Sequence, residues 1–162
     1  MKAMRWLLAA ALVASASAAQ AQDSDIYLLS VTANQMVLAD PTQIKDHGSY
    51  REGTYVAILP QTSKQGIDFL KAQIQHDCSR PRANKIVIFQ GFSLDDSSEP
   101  VAIGSPDTEW VTSDDGSFAG TAWTYACKKT SDGGPYPNGF RGIEQTASEY
   151  RGFLRKRAQG GE

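Results

Sequence analysis

Two histidines, two cysteines and scattered carboxylates are the groups in this chain from which chemistry could be built. His76, Asp77 and Cys78 are adjacent, and a cysteine near a histidine is the pairing that activates a thiolate nucleophile. On an extended strand, however, His76 and Cys78 point to one side and Asp77 to the other. If Cys78 is oxidised no thiolate exists to act. His47 is the other histidine, and a zinc site would need three or four converging ligands. The acidic runs Asp95-Asp96-Ser97-Ser98-Glu99 and Asp114-Asp115-Gly116 hint at calcium, but neither follows the twelve-residue spacing of a calcium-binding hand. Gly133-Gly134-Pro135 lacks the preceding strand and following lysine of a phosphate loop. Neither catalytic residues, a metal nor a cofactor is therefore expected.

The cysteines gain their meaning from the start of the chain. Lys2 and Arg5 precede the apolar run Trp6–Val13, and Ala19-Gln20-Ala21 gives an A-x-A cleavage pattern, so residues 1–21 read as a signal peptide. That apolar run is too short to span a bilayer. The leader holds no cysteine, so a lipid anchor is not expected. Export to the periplasm or beyond places Cys78 and Cys127, the only two cysteines, in an oxidising compartment, where they are expected to form one disulfide. Without the leader's two cations the net charge moves from −2 to −4. A dedicated nucleic-acid binder would show the opposite balance. No later stretch is apolar enough for a transmembrane segment.

Two basic clusters remain as candidate binding residues: Arg80, Arg82 and Lys85 beside Cys78, and Arg155, Lys156 and Arg157 near the C-terminus. Either suits an anionic envelope surface such as lipopolysaccharide, or a carboxylate-rich protein. The bland reading of both is solvated charge. Trp110 and Trp123 could line a cleft, but core packing against a helix is the expected role.

The elements that must position these groups follow from pattern. Ile26–Ala33 and Met36–Asp40 read as a hairpin, ended by Asp40-Pro41 because proline cannot donate to a ladder. Tyr50–Leu59 is a third strand. In Phe69–Cys78, Leu70, Ala72, Ile74, His76 and Cys78 alternate with Lys71, Gln73, Gln75 and Asp77, which favours a strand over a weaker helical stripe. Lys85–Phe92 and Pro100–Gly104 complete the set, and Trp110–Thr112 is a brief extended piece. Ser113-Asp114-Asp115 looks like the start of a helix running to Lys128-Lys129, with Phe118, Ala122, Tyr125 and Ala126 on one face. Thr130–Gly142 reads as a Gly/Pro-rich linker. In the basic tail 143–162, Ile143, Ala147, Tyr150 and Leu154 recur at helical spacing. The expected fold is a single α+β domain over residues 22–129: one antiparallel sheet of about six strands with a helix on one face and one disulfide.

Several of these residues fall in a familiar arrangement. An early hairpin ends Val37-Leu38-Ala39-Asp40 and is followed by Ile44. A strand ends Asp77-Cys78, and Trp110 precedes a Ser113-led helix closing at Cys127. Between Ile26 and Lys128 this resembles the surface-adhesin protein E-like family of secreted bacterial proteins. The resemblance implies a sheet with a packed helix and a non-enzymatic role. The family's type member is an outer-membrane lipoprotein that binds host extracellular-matrix and plasma proteins, partly through basic residues. This chain departs from it in lacking a lipobox cysteine and in carrying the basic extension. The expected function is thus an exported envelope protein that binds a protein or anionic partner, with a dimer open. The rivals are a periplasmic inhibitor or assembly factor presenting Ser93–Glu99, and an exported hydrolase whose carboxylates the sequence does not pair.

Overall fold

A computed structural model describes residues 26–131, 133–136 and 140–160. The signal peptide expected over residues 1–21 lies outside the described residues, as do parts of the Gly/Pro-rich stretch and the last two positions. Among the described residues nine strands form one antiparallel sheet. They are β1 (Tyr27–Val31), β2 (Met36–Ala39), β3 (Lys45–Asp46), β4 (Arg51–Ile58), β5 (Phe69–Asp77), β6 (Ala83–Phe92), β7 (Ala102–Gly104), β8 (Val111–Thr112) and β9 (Gly134–Pro135). The spatial order is β7-β6-β5-β4-β2-β1-β9, with β3 beside β4 and β8 beside β6. The six expected strands are all present. Of the three further strands, each two residues long, β8 lies in the expected extended piece Trp110–Thr112, while β3 and β9 are too short for any alternation to betray them.

The sheet is covered on both faces rather than one. Its inner residues separate by phase, because successive side chains on a strand point to opposite sides. Leu29, Val37, Ala39, Tyr55, Ala72 and Ile74 pack against Ala122 and Tyr125. Those two belong to α1 (Phe118–Trp123) and to the wider π-type turn, Thr124–Lys128, that continues it. Met36, Leu38, Ile58, Phe69 and Phe92 pack on the other side against Ala147 and Tyr150 of α2 (Ile143–Ala158). The helical spacing of the tail therefore marks a docked helix. Its Ala147 and Tyr150 are fully enclosed.

Two boundaries differ from the sequence reading. α1 starts at Ser117, whose hydroxyl accepts from the Gly120 amide at 3.1 Å, and not at Ser113. Ser113 is already committed to the sheet: its amide donates to the Arg82 carbonyl at 3.0 Å, and Gly116 then turns the chain at φ +71. The stretch 130–142 also does more than link. Tyr27 and Leu28 pair with Pro135 and Gly134, the Tyr136 amide donates to the Ile26 carbonyl at 2.7 Å, and Tyr136 and Phe140 pack against the α2 side of the core. Gly133 is needed there, since a Cβ would sit 2.4 Å from the Leu28 carbonyl oxygen. Glycine density thus records a close backbone approach as well as a turn.

Candidate functional site

Cys78 and Cys127 form the expected disulfide, with their Cα atoms 5.3 Å apart. It fastens the end of β5 to the last turn of the α1 segment. A second bond reinforces the same junction, where the Trp123 indole donates to the Asp77 carbonyl at 3.0 Å. Trp123 is buried, as its core role required.

The turn Ser79–Arg82 projects from this junction. Asp77 organises its first half: one carboxylate oxygen accepts from the Ser79 amide (2.9 Å) and hydroxyl (2.6 Å), and the other from Arg80 Nε (2.6 Å). Those hydrogen bonds, with the Ser79 hydroxyl foremost, pull the Asp77 carboxyl down to about 2. Arg82 closes the turn in the left-handed region, at φ 56, a conformation an arginine enters only under constraint.

That constraint comes from the core. Arg82's carbonyl accepts two bonds, from the Ser113 amide (3.0 Å) and from Asn84 Nδ2 (2.8 Å); Asn84 Nδ2 also donates to the Ser113 hydroxyl at 2.9 Å. With its nitrogen thus donating, Asn84 can only accept at Oδ1, and His76 Nδ1 stands 2.6 Å from it. His76 is therefore protonated on Nδ1, which leaves Nε2 to accept from the Tyr55 hydroxyl at 2.9 Å. The line Tyr55–His76–Asn84–Arg82 carbonyl is closed at every link. Burial holds the His76 imidazole neutral, lowering its pKa from 6.5 to about 4, and pushes the Tyr55 phenol far up. Both side chains are wholly enclosed. This polar chain buttresses the turn and offers no reacting atom to solvent.

On the outside, the turn meets aromatic rings. Arg80 lies over the Trp110 ring at 5.5 Å. Trp110 neighbours Tyr50 at 6.5 Å, and Tyr50 stacks on His47 at 4.7 Å. Trp110 is thus a half-buried surface residue under a guanidinium, not the core filler expected. Arg80 and Arg82 face Asp77 and Asp115 at 2.6 and 3.9 Å. The second pair is exposed on both sides and contributes at most about 1 kcal/mol. The Arg80 guanidinium keeps further N–H donors for another partner, whereas Arg82 Nε is enclosed.

The remaining candidates are placed apart. Lys85 stands opposite Gln75, on the sheet face away from α1, so it does not share the outward direction of the turn. Arg155, Lys156 and Arg157 form the exposed last turn of α2, whose Arg151 bonds the Leu59 carbonyl and Asp68 at the other end of β4 and β5. The nine-residue strand β5 thus lies between the arginine turn and the point where Arg151 anchors α2. The two clusters make two surfaces.

Among the described residues no three His, Cys, Asp or Glu side chains converge as metal ligands. Among the described residues, open grooves of about 480, 430 and 590 Å³ are lined by one carboxylate each: Asp115, Glu149 and Glu144. Among the described residues no helix is long and apolar enough to cross a membrane. Comparison with protein-family models, with curated proteins and with solved structures gave no match.

Proposed function

We propose that this chain is an exported, non-catalytic envelope protein, of the protein E-like kind its sequence resembles, that binds an anionic partner at the disulfide-pinned end of its sheet. One observation carries the reading: Arg80 is presented on Trp110 from a turn that the Cys78–Cys127 bond, Asp77 and the buried His76–Asn84 chain all hold in place. Preorganised arginine beside aromatic rings suits recognition of carboxylate or phosphate groups, because little freedom is lost on binding. Arg82 adds a second cation at the same turn. Lys85 stands on the other face of the sheet and adds only its charge.

The enclosure of His76 and Tyr55 and the single carboxylate in each groove support binding over hydrolysis, which would need convergent acids of shifted pKa. The direct test is a titration with lipopolysaccharide-bearing vesicles and with neutral vesicles, followed by tryptophan emission, since Trp110 lies under Arg80. Anionic vesicles are expected to change the emission in a salt-sensitive way, and replacement of Arg80, Arg82 and Lys85 by alanine to remove the change. Equal responses to both vesicle types, or an unchanged response in the triple variant, would refute the reading.

A further inference from the structure

One border of the sheet is a broken edge strand. From Val101 to Thr112 the chain runs antiparallel to β6: Ala102–Gly104 pair with Gly91–Phe89, and Val111–Thr112 with Asn84–Ala83. Between them the Asp107 amide donates to the Ile86 carbonyl and the Asp107 carboxylate accepts the Ile86 amide, both at 2.8 Å. No strand among the described residues lies on the outer side of this border. Val101, Ile103 and Val111 nevertheless stand 51%, 74% and 51% exposed. Ile103 is opposite Gln90, which places it on the same face as the exposed Ile88.

A bare edge with apolar side chains is a template for another strand. Charge decides which strand. From Ile86 to Cys127 the chain has seven acidic residues and no lysine or arginine. Asp95, Asp96 and Glu99 precede the border, and Asp107 and Glu109 lie within it. Among the described residues, none of these five is ion-paired with a cation. A second copy pairing edge to edge would bring these acids against their own kind, and like charges facing across a ladder are destabilising. A segment carrying lysine or arginine would instead be drawn to the same border. Beside its start opens the groove of about 590 Å³ lined by Val56, Phe69, Phe92 and Pro100, with Lys71 and Glu144 also on its wall. That groove has room for an apolar side chain from an added strand.

We propose that the border Val101–Thr112 accepts an extended segment of a partner protein by strand addition, and that the segment alternates basic and apolar residues. Backbone pairing supplies the attachment and the acidic flanks supply the selectivity. The far end of this border, Trp110–Thr112, adjoins the arginine turn, so the basic segment is expected on its Val101–Glu109 part, and the two neighbouring surfaces would take partners of opposite charge.

The test uses the oxidised full chain and a blocked ten-residue peptide alternating lysine and valine. Its controls are the glutamate–valine peptide and the lysine–valine peptide methylated on alternate backbone nitrogens. The lysine peptide is expected to bind and to protect the Val101–Gly104 amides from hydrogen exchange, with affinity falling roughly tenfold between low and physiological salt. Neither control should bind. Glu99→Lys, and separately Ile103→Lys, should each weaken binding about tenfold with an unchanged melting temperature, since both residues are exposed. Absence of binding, equal binding of the methylated peptide, or protection confined to another region would overturn the proposal. So would self-association of the free chain that Ile103→Lys abolishes, because the border would then be an interface between copies.

Discussion

The two faces of the sheet hold their helices by different chemistry. On one, the α1 segment is tied covalently through Cys78–Cys127 and by the Trp123 indole on the Asp77 carbonyl. On the other, α2 is tied by charge. Arg151 donates to Asp68 at 2.7 Å and to the Leu59 carbonyl at 3.2 Å, and the Tyr150 hydroxyl donates to the Thr32 carbonyl at 2.8 Å. Asp68 also collects the Thr62 hydroxyl at 2.6 Å and the Leu94 amide at 2.9 Å. The face that carries the arginine turn is thus the one with a covalent anchor, beside which Arg51 donates to the Ala126 carbonyl at 2.6 Å. The opposite face is held by an anchor that responds to pH. This contrast accounts for a six-residue α-helix that survives on the first face, where a sixteen-residue helix is used on the second. Isolated helices that short do not persist without tertiary ties.

The contrast can be broken from either side. The largest effect is expected from replacing both cysteines with alanine. The bridge closes a loop with a sequence separation of 49, worth about 4 kcal/mol on the chain-entropy account. In a domain of this size that lowers the melting temperature by roughly 10 °C. Calorimetry of the double variant, read alongside exchange protection of residues 118–128, checks both the size and the location of the loss.

Next comes Asp68→Ala, which strands a guanidinium only 19% exposed and should cost about 3 kcal/mol, measured by urea unfolding. Burial raises the Asp68 pKa, but the bonds from Thr62, the Leu94 amide and Arg151 outweigh it, so the folded value lies below the ordinary 3.8. A carboxyl depressed in the folded state stabilises above its unfolded pKa, and that contribution disappears as pH falls below 3.8. The expected result is a loss of α2 protection below pH 3.8 that Asp68→Asn no longer shows.

His76 gives a pH effect on the first face. Its pKa falls from 6.5 unfolded to about 4 folded, so the unfolded chain binds the extra proton between these values. Stability is then full above about pH 6.5 and declines toward pH 4, by about 2 kcal/mol at pH 5. In His76→Gln the urea midpoint should lose this dependence between pH 7 and pH 5, whatever the variant's absolute stability. The smallest expected effect is that of Tyr150→Phe, which removes one hydrogen bond to the Thr32 carbonyl and should cost about 1 kcal/mol in the same unfolding assay.

Much of this was readable from the chain alone. The alternation of Leu70, Ala72, Ile74 and His76 with Lys71, Gln73 and Gln75 specified β5, and it also put His76 on the core face. The spacing of Ile143, Ala147, Tyr150 and Leu154 marked the buried side of α2. The only two cysteines, Cys78 and Cys127, were expected to pair, and they do. Other features depended on register, which a single sequence does not supply. That Asn84 would stand opposite His76 follows from the pairing of β5 with β6, and so does the support it gives Arg82. Asp68 and Arg151 are 83 positions apart, and neither residue stands out locally. Trp110 was expected to pack in the core against a helix, yet Arg80, 30 positions away in sequence, covers its ring. A sheet covered on both faces required docking the tail, and the glycines of 130–142 concealed the strand that brings it there.

The measurement that bears most directly on function is capture of partners from envelope extract and from host matrix proteins, with the oxidised chain as bait. Three baits would be compared: the unaltered protein, the alanine variant of Arg80, Arg82 and Lys85, and the alanine variant of Arg155, Lys156 and Arg157. The predicted result is a salt-sensitive partner retained by the first and third baits and lost from the second. Equal capture by all three baits, or loss only with the C-terminal variant, would contradict the assignment of recognition to the disulfide-pinned end.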